Sequence, residues 1–271
     1  MFTRRLFAVA AALTVMTASL GADVKIVTTM SMEGNAPGMA GQQMPTMTQW
    51  IKGTKSRADM EAGAVRTSSI TDAANRRVYI INHADKSVQV FDGTPVPADK
   101  TLPAPKMEIS LKNTGRTRTV QGVECTESTF SITLSMSEMM GNAQVPPEAA
   151  AMLQGVRMRM DGSIWAATTG PGAAEYIAFS KAQAAANMQA VLAGAMPTMS
   201  GGLDQVMTAM QEAQGIPYLT EMTMTIEGTG QVVEMMRQMG PMKMRMEVKS
   251  VETDPVPDSL FEIPAGYSTV K

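Results

Sequence analysis

From Val24 onward, apolar and polar side chains mostly alternate, the period of a strand with one dry face, and helical spacing is confined to a few stretches. Val24, Ile26 and Thr28 open a first strand that reaches about Met32. MPTMTQWIKGTKSRADME reads as two strands meeting at Gly53-Thr54. In the second, Ser56, Ala58 and Met60 share one face, and Lys55, Arg57, Asp59 and Glu61 share the other. VRTSSITD, RRVYIIN and KSVQVFD follow, separated by the turn-prone clusters Asp72–Asn75 and His83–Asp85. Connections of hairpin length imply antiparallel pairing. DGTPVPADKTLPAPK, residues 92–106, carries four prolines, which cannot donate to a ladder, and is expected to be a loop.

The pattern then resumes. Met107, Ile109 and Leu111 alternate with Glu108, Ser110 and Lys112, and Phe130, Ile132, Leu134 and Met136 alternate with threonines and serines. Beyond a loop at GNAQVPPE, Met158 and Met160 alternate with Arg157, Arg159 and Asp161. Met222, Met224 and Ile226 mark another strand. Met242, Met244, Met246 and Val248 alternate with Lys243, Arg245, Glu247 and Lys249 in the next. Helical spacing occurs from Gly172, where Tyr176 and Phe179 sit in an alanine-rich run behind Pro171, and again at Leu203, Met207 and Met210 before Gly215. Val232, Met235, Met236 and Met239 fit a short amphipathic helix in the Met-rich connection 231–241. Leu260, Phe261 and Tyr267 are expected to pin the proline-punctuated C-terminal tail to the body.

These elements predict an α+β protein: one domain over residues 22–271, built on a large, strongly curved antiparallel sheet. A sheet of eight or more strands with one greasy face must curl, split or close. An unclosed half-barrel with two helices, from the segment 172–215, packed in its concave face satisfies that requirement.

Composition and charge narrow the function. Arg4 and Arg5 precede an apolar run too short for a membrane span, and Ser19 and Gly21 supply small residues before Ala22. Residues 1–21 therefore read as a cleaved export signal, with Thr3–Phe7 partly matching the twin-arginine type. No transmembrane segment is expected in the mature chain, and Cys125 lies too far along to be a lipid-modified first residue. The expected location is periplasmic or secreted. Removing the signal leaves 21 basic against 25 acidic side chains, which argues against a nucleic-acid partner. Cys125, alone in a β-like stretch, is read as buried.

Catalytic motifs are lacking. His83 is the one histidine and sits in a turn; no G-x-S-x-G elbow, H-E-x-x-H, C-x-x-C pair, phosphate loop or dinucleotide fingerprint occurs. The acidic residues read as solvent-facing, and Arg76-Arg77, Arg116 and Arg118 as solvated turn charges. Trp50 and Trp165 are expected in core or rim. No enzyme, catalytic residue or cofactor is predicted.

Methionine is the unusual feature: 28 residues, against eleven leucines. Three readings follow from its chemistry. Thioether side chains fill irregular cores. They also make deformable binding surfaces, here Met158, Met160, Met222, Met224, Ile226, Met242, Met244 and Met246 as a groove for lipid or acyl chains. They suit Cu(I), for which Met235, Met239 and Met242 are the densest cluster, or serve as an oxidant buffer. A structural envelope factor without a ligand is the remaining alternative.

TMTQWIKGTKSRADME, SSITDAANRRVYIIN, QGVEC, GSIWAATTGPGAAEYIAF, QGIPYLTEM and DSLFEIPAGYSTVK, in that order, resemble an exported bacterial family carrying a domain of unknown function. That family in turn resembles the periplasmic lipoprotein carriers of the LolA, LolB and LprG type. The resemblance implies an unclosed antiparallel barrel, a helical lid over an apolar cavity, and acyl chains of lipids or lipoproteins as partners. It carries no active-site residues.

Overall fold

A computed structural model describes residues 23–34, 45–92, 107–137, 153–188, 191, 214–238 and 240–270. The expected signal, the proline-rich loop and the helix around Leu203–Met210 fall outside the described residues. Among the described residues, twelve strands form one unclosed sheet. They are β1 (Val24–Glu33), β2 (Thr46–Lys52), β3 (Lys55–Ala62), β4 (Val65–Asp72), β5 (Arg77–Asn82) and β6 (Ser87–Phe91) in the first half. The second half holds β7 (Met107–Val120), β8 (Val123–Ser135), β9 (Arg157–Ala167), β10 (Ile216–Glu227), β11 (Met242–Glu252) and β12 (Ser268–Val270). Two helices, α1 (Ala173–Ala185) and α2 (Gln231–Gln238), interrupt the second half.

The strand order is β12-β6-β5-β4-β3-β2-β1-β11-β10-β9-β8-β7. The chain meanders outward from β1 to β6, begins again at the far edge with β7, and returns until β11 lies beside β1. Every neighbouring pair is antiparallel except β12 with β6, so the large antiparallel sheet inferred from alternation is present. Three irregularities interrupt its ladders. β11 carries an extra residue opposite Val27/Thr28, β10 slips between Pro217 and Leu219, and β7 bulges between Asn113 and Thr117. Bulges of this kind strengthen local twist and re-aim side chains.

The alanine-rich helix sits tightly on the sheet because the residue capping its start has no side chain. Gly172, φ 69°, caps α1, and a Cβ there would stand 2.7 Å from Val24 Cγ1 and 3.3 Å from Val251 Cγ1. Tyr176 and Phe179 continue into the core cluster of Val24, Ile26, Ile51, Val248, Ile216 and Tyr218. Ala182 and Ala186 pack beside Met188, Val191, Val78, Ile80 and Phe91. Beneath the helix, Val24, Ile51, Ser56, Thr71, Val78 and Phe91 align in one row across β1–β6.

The opposite face of that half is also covered. Ile70, Ile81 and Val88 pack with Val256, Phe261, Leu260, Tyr267 and Trp50, so the C-terminal tail is pinned as its apolar residues predict. This reverses the reading of β3. Met60 is 45% exposed, whereas Arg57 and Asp59 on the polar-looking face are 6% and 3% exposed.

Candidate functional site

The eight groove candidates of the sequence share one face. Register aligns Met32, Met244, Met222, Gly162, Phe130 and Leu111 across β1, β11, β10, β9, β8 and β7. On one side lies the row Met30–Met246–Thr220–Ile164; on the other, Met242–Met224–Met160–Ile132 and then Ile226–Met158–Leu134. Every methionine in these rows is half-buried, while Ile132 and Leu134 are buried. Since side chains alternate along a strand, this is the face that carries Val24 and Ile26 at the α1 end of β1. Composition alone left Met30 and Met32 out of the group, although they continue the Val24–Ile26–Thr28 alternation. Phe130 was also missed. Its ring lies over Gly162, where a Cβ would come within 2.6 Å of Phe130 Cζ and 2.3 Å of the Glu221 carbonyl oxygen.

The charged residues of β1, β9, β10 and β11 lie on the other face. Glu33, Lys243, Thr223 and Asp161 form one row, and Ser31, Arg245, Glu221 and Ser163 the next. These eight, with Gly162, Met222 and Met244 between them, line an open cavity of about 370 Å³. Arg245 Nη1 donates to Glu221 Oε1 at 2.5 Å and Arg159 Nε to Asp161 Oδ2 at 2.8 Å. The hydrogen bond from Arg159 holds the Asp161 carboxyl below its usual range, against a smaller opposing effect of burial.

A second polar assembly lies under the C-terminal tail. Arg57 donates from Nε to Asp59 Oδ1 at 2.6 Å, from Nη2 to Ser68 Oγ at 3.2 Å and from Nη1 to the Leu260 carbonyl at 3.1 Å. Arg66 Nη2 reaches Asp59 Oδ2 at 2.6 Å. Burial pushes the Asp59 carboxyl up, but hydrogen bonds from Arg57, Arg66 and Ser68 outweigh it and hold the group below its usual range. His83 bridges Ser68 Oγ and the Tyr267 hydroxyl, 2.7 Å from each. It is therefore a half-buried clamp and not the solvated turn residue expected. Burial first, then the Arg66 cation, lowers its pKa.

The Ser68–His83 pair has the spacing of a nucleophile and base, but Ser68 is 1% exposed, and the far ring nitrogen meets a phenol in place of a carboxylate. Glu127 is another carboxylate that the sequence placed in solvent and the fold buries. Burial raises its pKa, and hydrogen bonds from Thr114 and Arg116 more than reverse that. Arg116 is thus a bulge residue ion-paired to β8 and not a free turn charge.

Cys125 is buried, with burial pushing its thiol up. Trp165 is core, with the Arg118 guanidinium 5.7 Å from its ring centroid. Of the metal candidates, Met235 is 60% exposed on α2 and Met242 is half-buried on β11, while Met239 lies outside the described residues. Among the described residues there is no cluster of three or more His, Cys, Asp or Glu placed to hold an ion, and no helix long and apolar enough to cross a membrane.

The second half of the sheet thus carries thioethers on one face and charged side chains on the other. The model of a family described as a domain of unknown function, DUF4412, matches residues 27–145 and 201–267, more than half of the chain. The chain belongs to that family. No curated protein matches it. Among solved structures it is similar to the lipoprotein LppX of Mycobacterium tuberculosis, at 9% identity over 86% of this chain and 88% of that one, with a TM-score of 0.29. That overlap is too loose to carry an argument about fold or ligand.

Proposed function

We propose that the protein is a non-enzymatic binding protein of the bacterial cell envelope that receives an acyl chain or other lipid tail on its methionine face. The observation behind this reading is the continuous, half-buried row Met32–Met244–Met222 and its flanking rows, free of charged side chains. The cavity lined by Glu33, Lys243 and Arg245 belongs to the opposite, polar face, so the apolar ligand is expected on an open surface with part of its length still wet. If each CH₂ gains about half of the ~0.8 kcal/mol available on full burial, a sixteen-carbon chain gains roughly 6 kcal/mol. That corresponds to dissociation constants of tens of micromolar before ordering costs. Export to the periplasm, as the N-terminal sequence predicts, places the molecule where such chains need a carrier.

Native mass spectrometry of protein purified from its own envelope is expected to reveal lipid adducts. A fluorescent fatty acid is expected to bind the delipidated protein and to be lost in Met222→Glu/Met244→Glu. A clean spectrum, together with no probe binding by the wild type, refutes the reading.

A further inference from the structure

We infer that Met32, Met244 and Met222 form a three-thioether site for a soft monovalent metal ion, Cu(I). The three residues are consecutive members of one row on the adjacent strands β1, β11 and β10. Neighbouring strands lie about 4.8 Å apart, and a methionine side chain is long and unbranched, so the outer two can lean across the middle one and bring three sulfurs onto one ion. Met242, Met224 and Met160 form a further row on β11, β10 and β9.

Two features of the face favour copper over generic packing. Its residues in these rows offer sulfur but no carboxylate, imidazole or thiolate; the charged residues of β1, β9, β10 and β11 stand on the reverse side. Thioether-only ligation selects Cu(I) over zinc, magnesium or calcium. Methionine is also a costly choice for a strand that needs only an apolar surface. Branched residues have the higher strand preference, and methionine loses more rotamer freedom on burial. The site shares its face with the acyl-chain reading but requires sulfur where that reading requires only apolarity.

The test uses the full chain under anaerobic conditions, titrated with Cu(I) in competition with bicinchoninate, alongside Met32→Leu/Met222→Leu/Met244→Leu and a Met235→Leu control. The wild type and the control are expected to withdraw copper equally, and the triple variant to bind at least about tenfold more weakly, an energy the loss of soft ligands readily supplies. X-ray absorption at the copper edge of the wild type is expected to give sulfur neighbours only. Failure of the wild type to take copper, equal competition by the triple variant, or nitrogen and oxygen neighbours in the spectrum overturns the inference. If the triple variant does not fold, judged by circular dichroism, the wild-type spectrum decides alone. Leucine preserves the apolar surface, so unchanged fatty-acid binding by the variant separates the fate of this site from that of the lipid reading.

Discussion

Replacing Asp59 by asparagine removes one charge from the assembly beneath the C-terminal tail. Arg57, 6% exposed, then keeps the Leu260 carbonyl and Ser68 as partners but loses the carboxylate at 2.6 Å. A buried cation stripped of its counter-ion costs about 3–5 kcal/mol, whereas an exposed pair contributes roughly 0–1 kcal/mol. For a sheet protein of this size each kcal/mol moves the midpoint by about 2–4 °C, so D59N is expected to melt roughly 6–20 °C below the wild type. Arg66 is the internal control. Its side chain is 48% exposed, and Arg66→Ala is expected to cost no more than about 1 kcal/mol. Urea unfolding followed by circular dichroism measures both. Tryptophan emission adds a local report, because Trp50 packs against the cluster that holds Val256 and Phe261 of the tail and should redden as the tail loosens. A D59N loss below about 1 kcal/mol, or one equal to that of R66A, would refute the view that this cluster is a dry ionic anchor for the tail.

Two further outcomes follow from the same structure. His83 is held below the ordinary histidine pKa by burial and by Arg66, so the folded state binds fewer protons than the unfolded one. The stability this contributes is present above about pH 6.5 and is lost as pH falls through the folded pKa; denaturation midpoints measured from pH 7.5 to 4.5 should decline less steeply in that window for His83→Gln. Gly162→Ala drives a Cβ against the Glu221 carbonyl and the Phe130 ring, and is expected to lose about 1–3 kcal/mol. A melt of G162A unchanged within error contradicts the close approach of β9 to β10.

Alternation made the strands legible because each has a side chain contrast between its faces. Met242 to Val248 and Phe130 to Leu134 are clear cases, and the turn at Gly53-Thr54 falls where the pattern breaks. The grouping of the eight site candidates on one face follows from the same periodicity, once register joins their strands. What alternation does not encode is which face is dry when both are covered. Arg57 and Asp59 look solvated in a string of charges, yet the tail that buries them is about 200 residues away in sequence. His83 escaped for a related reason: Ser68 comes from the neighbouring β4, but Tyr267 arrives only with the tertiary placement of β12 beside β6. The bulges leave no simple compositional mark, although the glycine at position 115 with φ 69° lies in one of them.

The seam between β1 and β11 has a bearing on when the molecule acquires its shape. Lys25 lies opposite Glu252 and forms a 3.1 Å ion pair with it, so this ladder joins residues 227 positions apart in the sequence. Each half can pair its own hairpins early, but the join bears the loop-closure entropy of more than 200 intervening residues. A chain held in an extended state is thereby kept from completing its architecture until both strands of this seam are free to meet.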